Sequence, residues 1–333
     1  MNLVNLWFVL IAVLWTGFFF LEGFDFGVGI LASSLGKNEE ERAQALAAIG
    51  PVWDADEVWL ITGAAAIFAA FPTWYANVFP AAYLPLLLVI VGLVVRAVSI
   101  EYRMKRSAPR WRRRWDRGIA VASAALPFLF GVFWAGLLQG LPIDANGLKS
   151  VAGLEIITPY SILGGLVLLS FSLAHGATFL TLKTTGGIEE AARRWSTPLI
   201  AIAGALMTVF AVWTYATFSR GDVLALVFGL LSVLALAVAL FATRARHYKL
   251  GFWMNGVAVL GYAGSIFLAL FPNAVPSSAS PQYDITLVNA AANEYALQVM
   301  TVVALIALPV VLAYQAWSFW VFRGRVAPGA KYE

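Results

Sequence analysis

The chain has 333 residues, of which 61% are hydrophobic and only 12% charged, with a formal net charge of +4 and a mean hydropathy of +0.80. That balance excludes a soluble globular protein and describes a polytopic membrane protein, because every gap between apolar runs is short. Cysteine is absent, which removes disulfides, iron–sulfur ligation and thiol chemistry; the basic residues fall in loops, where they set orientation rather than bind nucleic acid.

The first apolar run covers about residues 5–34 and is interrupted by Glu22 and Asp25. It has no basic leader and is too long for a signal peptide. The two acids stand three apart, on one helix face, within LEGFDFGVG, where Gly23, Gly27 and Gly29 let a neighbouring helix approach closely. Asp25, set between phenylalanines, reads as functional; Glu22 reads equally well as an acid at a loop edge.

The second run, residues 50–72, is GPVWDADEVWLITGAAAIFAAFP. Pro51 suits a helix start, where its missing N–H is no loss, and Pro72 ends the run. Asp54, Asp56 and Glu57 crowd the first turn. Helical spacing puts Asp54 and Glu57 on one face between Trp53 and Trp59, and ionisable groups so placed mark a proton, ion or substrate path. Asp56 points elsewhere and reads as an interfacial acid stabilised by the helix dipole.

A third span is expected over about 75–100, with Pro80 and Pro85 early and Arg96 near its far end. Arg96 either snorkels to the interface or pairs with an acid of the first two spans. Glu101 and Lys105, four apart, are able to form an ion pair on a helix surface. Residues 103–117 then hold eight basic residues against Asp116. Further spans are expected over about 118–139, 159–181, 197–218, 222–243, 248–271 and 295–322, with Trp317 and Trp320 as interface anchors.

With the N-terminus outside, the five cytoplasmic segments hold 19 of the 22 Lys and Arg, while Lys149 and Arg220 lie outside and Arg96 within the membrane. The expected fold is therefore all-α, with nine transmembrane helices: two four-helix bundles in pseudo-repeat plus one additional helix. Its parts are a first bundle with the acid cluster (1–141), an external connection (142–158), a second bundle (159–271), an external loop (272–294), and a ninth helix with a cytoplasmic tail (295–333). His247 lies in a basic loop and reads as solvated. His175, the one histidine inside a span, reads as a hydrogen-bonded interior residue or a single haem ligand. A bis-histidine haem needs a second intramembrane histidine, so the chain alone is not expected to be a cytochrome, nor to be catalytic alone.

LEGFDFGVG followed by GPVWDADEVWLITGAAAIFAAFP resembles subunit II of the cytochrome bd family of quinol oxidases. RAVSIEYR, LLQGLP, HGATFLTLKT and LQVMTVVALIALPVVLAYQAW extend the resemblance over essentially the whole chain. One departure stands out: relatives usually read WDxN from position 53, and here Asp56 replaces the amide. The resemblance implies a non-haem subunit that supports assembly of a larger, haem-carrying subunit I. Two haems b and one haem d are then expected on that partner, where quinol is oxidised and oxygen reduced to water. It further implies that Glu101 and Lys105 belong to the family's proton-uptake route, and that the complex sits in a prokaryotic cytoplasmic membrane. A small accessory single-span subunit, and a lipid or quinone against the second bundle, are compatible with it. The expected proton pathway is Asp54, Asp25, Glu57, Glu101, Lys105, Asp56, Trp53 and Arg96, and Asp54→Asn is expected to lower oxygen consumption while the haem spectrum persists. A reading from another class is a proton-coupled secondary transporter, which intramembrane acids and repeated halves would also allow.

Overall fold

A computed structural model describes residues 2–149, 153–219 and 222–329. Arg220, one of the two external basic residues, lies outside them, as do 150–152 of the external connection and 330–333 of the tail. Helix α1 (Leu3–Leu35) is capped by the Asn2 side chain, which accepts from the Asn5 amide. At ~1.5 Å per residue its 33 residues are longer than a hydrocarbon layer of about 30 Å requires. A short helix, α2 (Glu39–Ala47), follows. Nothing apolar announces it; Asn38 caps it and three glutamates in its first turn favour it through the helix dipole.

Helix α3 (Trp53–Ala70) ends at Phe71, and Pro72 starts α4 (Pro72–Ala81), bent by 118° from α3. Proline has no N–H to continue a helical ladder but suits the first turn of a new helix. This corrects the expected third span: residues 75–81 belong to the turned-aside α4, and the crossing begins with α5 (Tyr83–Arg103). Helix α6 (Pro109–Gln139) starts nine residues ahead of the expected 118, because RWRRRW continues the helix past the apolar run. The other long helices are α7 (Pro159–Lys183), α8 (Gly187–Thr217), α9 (Val223–Arg244) and α10 (Tyr248–Leu270). A four-residue α11 (Leu287–Ala290) precedes α12 (Glu294–Val321). Among the described residues eight helices are long and apolar enough to cross a membrane, or nine if the bent α3–α4 pair counts as one crossing.

The turn between α9 and α10 closes with the His247 amide donating to Ala242 O and the Arg246 amide to Thr243 O. Arg246 stands at φ 64°, in the left-handed position that helix ends usually give to glycine. At the opposite end of the molecule, β1 (Ile143–Asp144) pairs antiparallel with β2 (Gly147–Leu148), and β3 (Asn273–Val275) with β4 (Ile285–Thr286). The Lys149 ammonium ion-pairs with Asp144 and holds that carboxyl below its ordinary range. The loop after α10 is ordered: Asp284 accepts from Asn273 and from the Ser277 amide. The same loop reaches the end of α6, where the Leu141 amide donates to Pro276 O.

Helices α7 to α10 pack each against the next, and α10 returns to α7. Helix α1 packs on α3 and α6, α5 on α6, and both α1 and α6 lie against α7. One apolar core runs through all of these helices. Glycine makes the central crossing: a Cβ at Gly27 would overlap the Ser172 carbonyl and crowd Gly176, so α1 and α7 meet backbone to backbone. Helix α12 is different. Only 6% of its most apolar stretch is buried, against 72% in α6.

Beyond α12 the chain returns to the body. The Val326 amide donates to Lys183 O, the Arg325 guanidinium to the carbonyls of Thr181 and Thr184 at the end of α7, and the Gln44 amide to both Thr185 O and Val326 O. Thus α2, the α7–α8 turn and the segment after α12 meet at one end, which is also where most of the Lys and Arg lie.

Candidate functional site

The buried polar centre is assembled from four helices. Glu22 and Asp25, one turn apart on α1, are both fully buried. Helix α3 brings Asp56, also fully buried, and Glu57; α5 brings Arg96, fully buried; α12 brings Gln315. The acids of α1 come level with the first turn of α3 and with Arg96 of α5.

Arg96 is the hub. Its Nη1 lies 2.7 Å from Glu57 Oε1 and 3.3 Å from Glu22 Oε2, and its guanidinium carbon lies 5.0 Å from the Phe26 ring centroid and 5.7 Å from that of Trp53. Of the two readings of Arg96, pairing with span-one and span-two acids is the one the structure displays. Asp25 belongs to the same buried group, within electrostatic reach of Asp56, Glu22 and Arg96. Gln315 Nε2 donates to Asp56 Oδ1 at 2.6 Å, and Trp59 Nε1 donates to Gln315 Oε1 at 2.6 Å. Four carboxyls thus share one guanidinium away from solvent. Full ionisation would leave three uncompensated negative charges there, which a buried site does not sustain.

Two assignments from spacing change. Asp56 does not point away as an interfacial acid; it is inside the cluster, and Asp54 is the exposed one. Asp54 and Glu57 are neighbours on α3, but the helix is rotated so that Glu57, 18% exposed at its side chain, stands at the edge of the cluster and Asp54 outside it. Glu101 and Lys105 are exposed, and no ion pair joins them among the described residues. The buried cation of that segment is Arg103, whose Nε reaches Asp116 Oδ1 at 2.5 Å and whose Nη2 reaches Glu39 Oε1 at 2.8 Å. Arg42 and Arg112 join the same network on Asp116 and Glu39. Trp53 is buried, with the Arg96 guanidinium over its ring.

Spacing alone missed Gln315; it read Glu22 equally as a loop-edge acid and Trp59 only as a flank of the acids. Gln315 left a trace, a lone amide within the apolar YQAW stretch, where a polar group must find a partner.

His175 does not fit a haem ligand. Its ring stacks on Phe252 with centroids 4.5 Å apart and is further enclosed by Phe20, Phe24 and Phe171, which leaves no room for a macrocycle. It is an interior residue, fully buried, with the backbone of Phe20 within hydrogen-bond reach of its ring. His247 is exposed. Among the described residues no group of three His, Cys, Asp or Glu is arranged to hold a metal ion.

The family model described as cytochrome bd terminal oxidase subunit II matches residues 3–322. Cytochrome bd ubiquinol oxidase subunit 2 of Bacillus subtilis (strain 168) is 40% identical over 329 residues, covering 98% of this chain and 97% of its own. Cytochrome bd-I ubiquinol oxidase subunit 2 of Escherichia coli (strain K12) is 30% identical over 358 residues, covering 96% and 94%. Among solved structures, a chain of the bd oxidase from Geobacillus thermodenitrificans has the same fold, with a TM-score of 0.77 at 16% identity over 97% of this chain and 99% of that one.

Proposed function

The chain belongs to the cytochrome bd terminal oxidase subunit II family, and from that premise we propose that its buried acid cluster takes up protons for oxygen reduction in a partner subunit. As a family member it is a component of a quinol oxidase, spans the membrane several times, and works in a complex that contains haem and a subunit I. What the proposal adds is the division of labour. The haems b and d, and with them quinol oxidation and reduction of oxygen to water, belong to subunit I, while this chain supports its assembly and supplies proton-holding groups.

The observation that carries this reading is the one partly exposed carboxyl at the edge of an otherwise buried set. Glu57 stands at that edge, and Glu22, Asp25 and Asp56 are fully buried behind it. Arginine does not give up its proton; Arg96 instead gathers the carboxylates of Glu57 and Glu22 at one nitrogen, Nη1, so that a proton taken up at Glu57 passes to Glu22 and on to Asp25. Asp56 is held by Gln315 facing Asp25, ready to share that proton. The orientation that fits is N-terminus outside and C-terminus cytoplasmic in a prokaryotic inner membrane, since the cluster then faces the side from which the protons come. The four-helix sets α1, α3, α5, α6 and α7 to α10 serve as an acid-bearing half and a scaffolding half. A bound lipid or quinone and a small accessory subunit are compatible with the latter. Asp54, exposed on this chain, finds shelter against subunit I or the headgroups.

The transporter reading is not favoured: the acids occupy one set of helices with no counterpart in the other, and the relatives are oxidase subunits. The test uses the assembled complex. Asp25→Asn and Glu57→Gln are expected to lower oxygen consumption by about 10²-fold, the low end of what proton transfer contributes, with the reduced haem spectrum unchanged. Glu101→Gln and Lys105→Gln are expected to leave turnover within twofold. Full turnover in both cluster variants would remove the cluster from proton uptake.

A further inference from the structure

A cavity of about 690 Å³ opens at the basic end of α7 to α10, away from the acid cluster. Arg193 of α8, Arg246, His247 and Lys249 of the α9–α10 turn, and Arg325 of the segment after α12 line it, with Glu189 as the only carboxylate among its lining residues. Glu189 Oε1 is already shared by Arg193 Nη2 at 2.5 Å and Arg325 Nη2 at 2.6 Å. Arg193 also lies over the Tyr248 ring, 5.2 Å from its centroid, and Arg325 is engaged with the carbonyls ending α7. Arg246 and Lys249 have no ion pair among the described residues.

An orientation signal accounts for basic residues at this end but not for their convergence from three separate segments on one cavity with a single carboxylate. Nor does it account for Arg246, whose left-handed backbone would suit glycine better. The depth identifies the ligand. Trp195 and Trp253, both about half exposed, lie within a turn of Arg193 and Lys249, and tryptophans so placed mark the headgroup layer. Below the turn, α9 presents Phe241 as an apolar bed for an acyl chain. We propose that this cavity binds the phosphodiester of an anionic membrane phospholipid between Arg246 and Lys249, a pairing of cationic pocket and lipid phosphate at a membrane face.

The discriminating variant is Arg246→Gly with Lys249→Gln, because glycine removes the charge while relieving the backbone, so folding is not put at risk. The complex is purified in mild detergent, and retained phospholipid is measured by native mass spectrometry. Wild type is expected to keep anionic phospholipid that the double variant loses. Wild type is also expected to melt higher in phosphatidylglycerol nanodiscs than in phosphatidylcholine nanodiscs, with that difference absent from the variant. Equal retention and equal lipid dependence in the two proteins would overturn the proposal. Displacement of the wild-type lipid by millimolar inorganic phosphate would overturn the lipid assignment in favour of a soluble phosphate.

Discussion

At Arg96 one fully buried guanidinium faces the carboxyls of buried Glu22 and partly exposed Glu57, and its removal leaves those charges without compensation. Deleting one partner of a buried ion pair costs about 3–5 kcal/mol, so Arg96→Gln is expected to lower the melting temperature of the purified complex or abolish its assembly. Lys105→Gln, at an exposed position, is expected to change stability by less than about 0.5 kcal/mol. Asp56→Asn has a different outcome. The amide oxygen still accepts from Gln315 and one of four crowded carboxyls disappears, so the variant is expected to assemble and melt no lower than wild type in a thermal scan. Spacing made Glu22, Asp25 and Glu57 visible, because acids three apart in apolar runs are conspicuous. It misassigned Asp54 and Asp56 because a spacing rule says which residues share a face, not which face turns inward. That rotation is settled by Gln315, 259 positions away, and no local pattern around α3 contains it.

The elements themselves were legible wherever an apolar run had polar ends, as at α7, α9, α10 and α12. They were not legible where apolarity continued through a bend, as at Pro72 and α4, or where a helix formed without apolarity, as at α2 and the first turns of α6. How elements meet was readable at one place, LEGFDFGVG, whose glycines announce a close neighbour. The neighbour proves to be α7, and Gly27→Ala is expected to cost about 1–3 kcal/mol through overpacking, measured as a lower midpoint in thermal unfolding. Helix α12 is attached through few side chains: Trp7 Nε1 on Thr301 at 3.0 Å, Trp59 on Gln315, and Gln315 on Asp56. Gln315→Leu leaves two buried polar groups without partners, each worth about 1–3 kcal/mol. It is expected to make the loops flanking α12 more susceptible to limited proteolysis while α7 to α10 stay intact.

Over the whole molecule, the orientation proposed from the charge distribution has a clean test, because the chain has no cysteine of its own. Single cysteines at Glu40 on α2 and at Ala279 in the loop after α10, both exposed, mark the two ends. A membrane-impermeant thiol reagent is expected to label Ala279→Cys in intact cells and Glu40→Cys only after permeabilisation; the reverse pattern would invert the topology.

The return of residues 325 and 326 onto α7 and α2 bears on the order of events during biosynthesis. These residues follow α12 in synthesis, so α12 enters the membrane before its fastening is made, and the carbonyls at the end of α7 wait until residues 325 and 326 arrive. Fastening of α12 thereby lags behind its insertion. A nascent chain stopped just short of residue 325 would hold every crossing described here, yet its loosely seated α12 would expose it to membrane quality control.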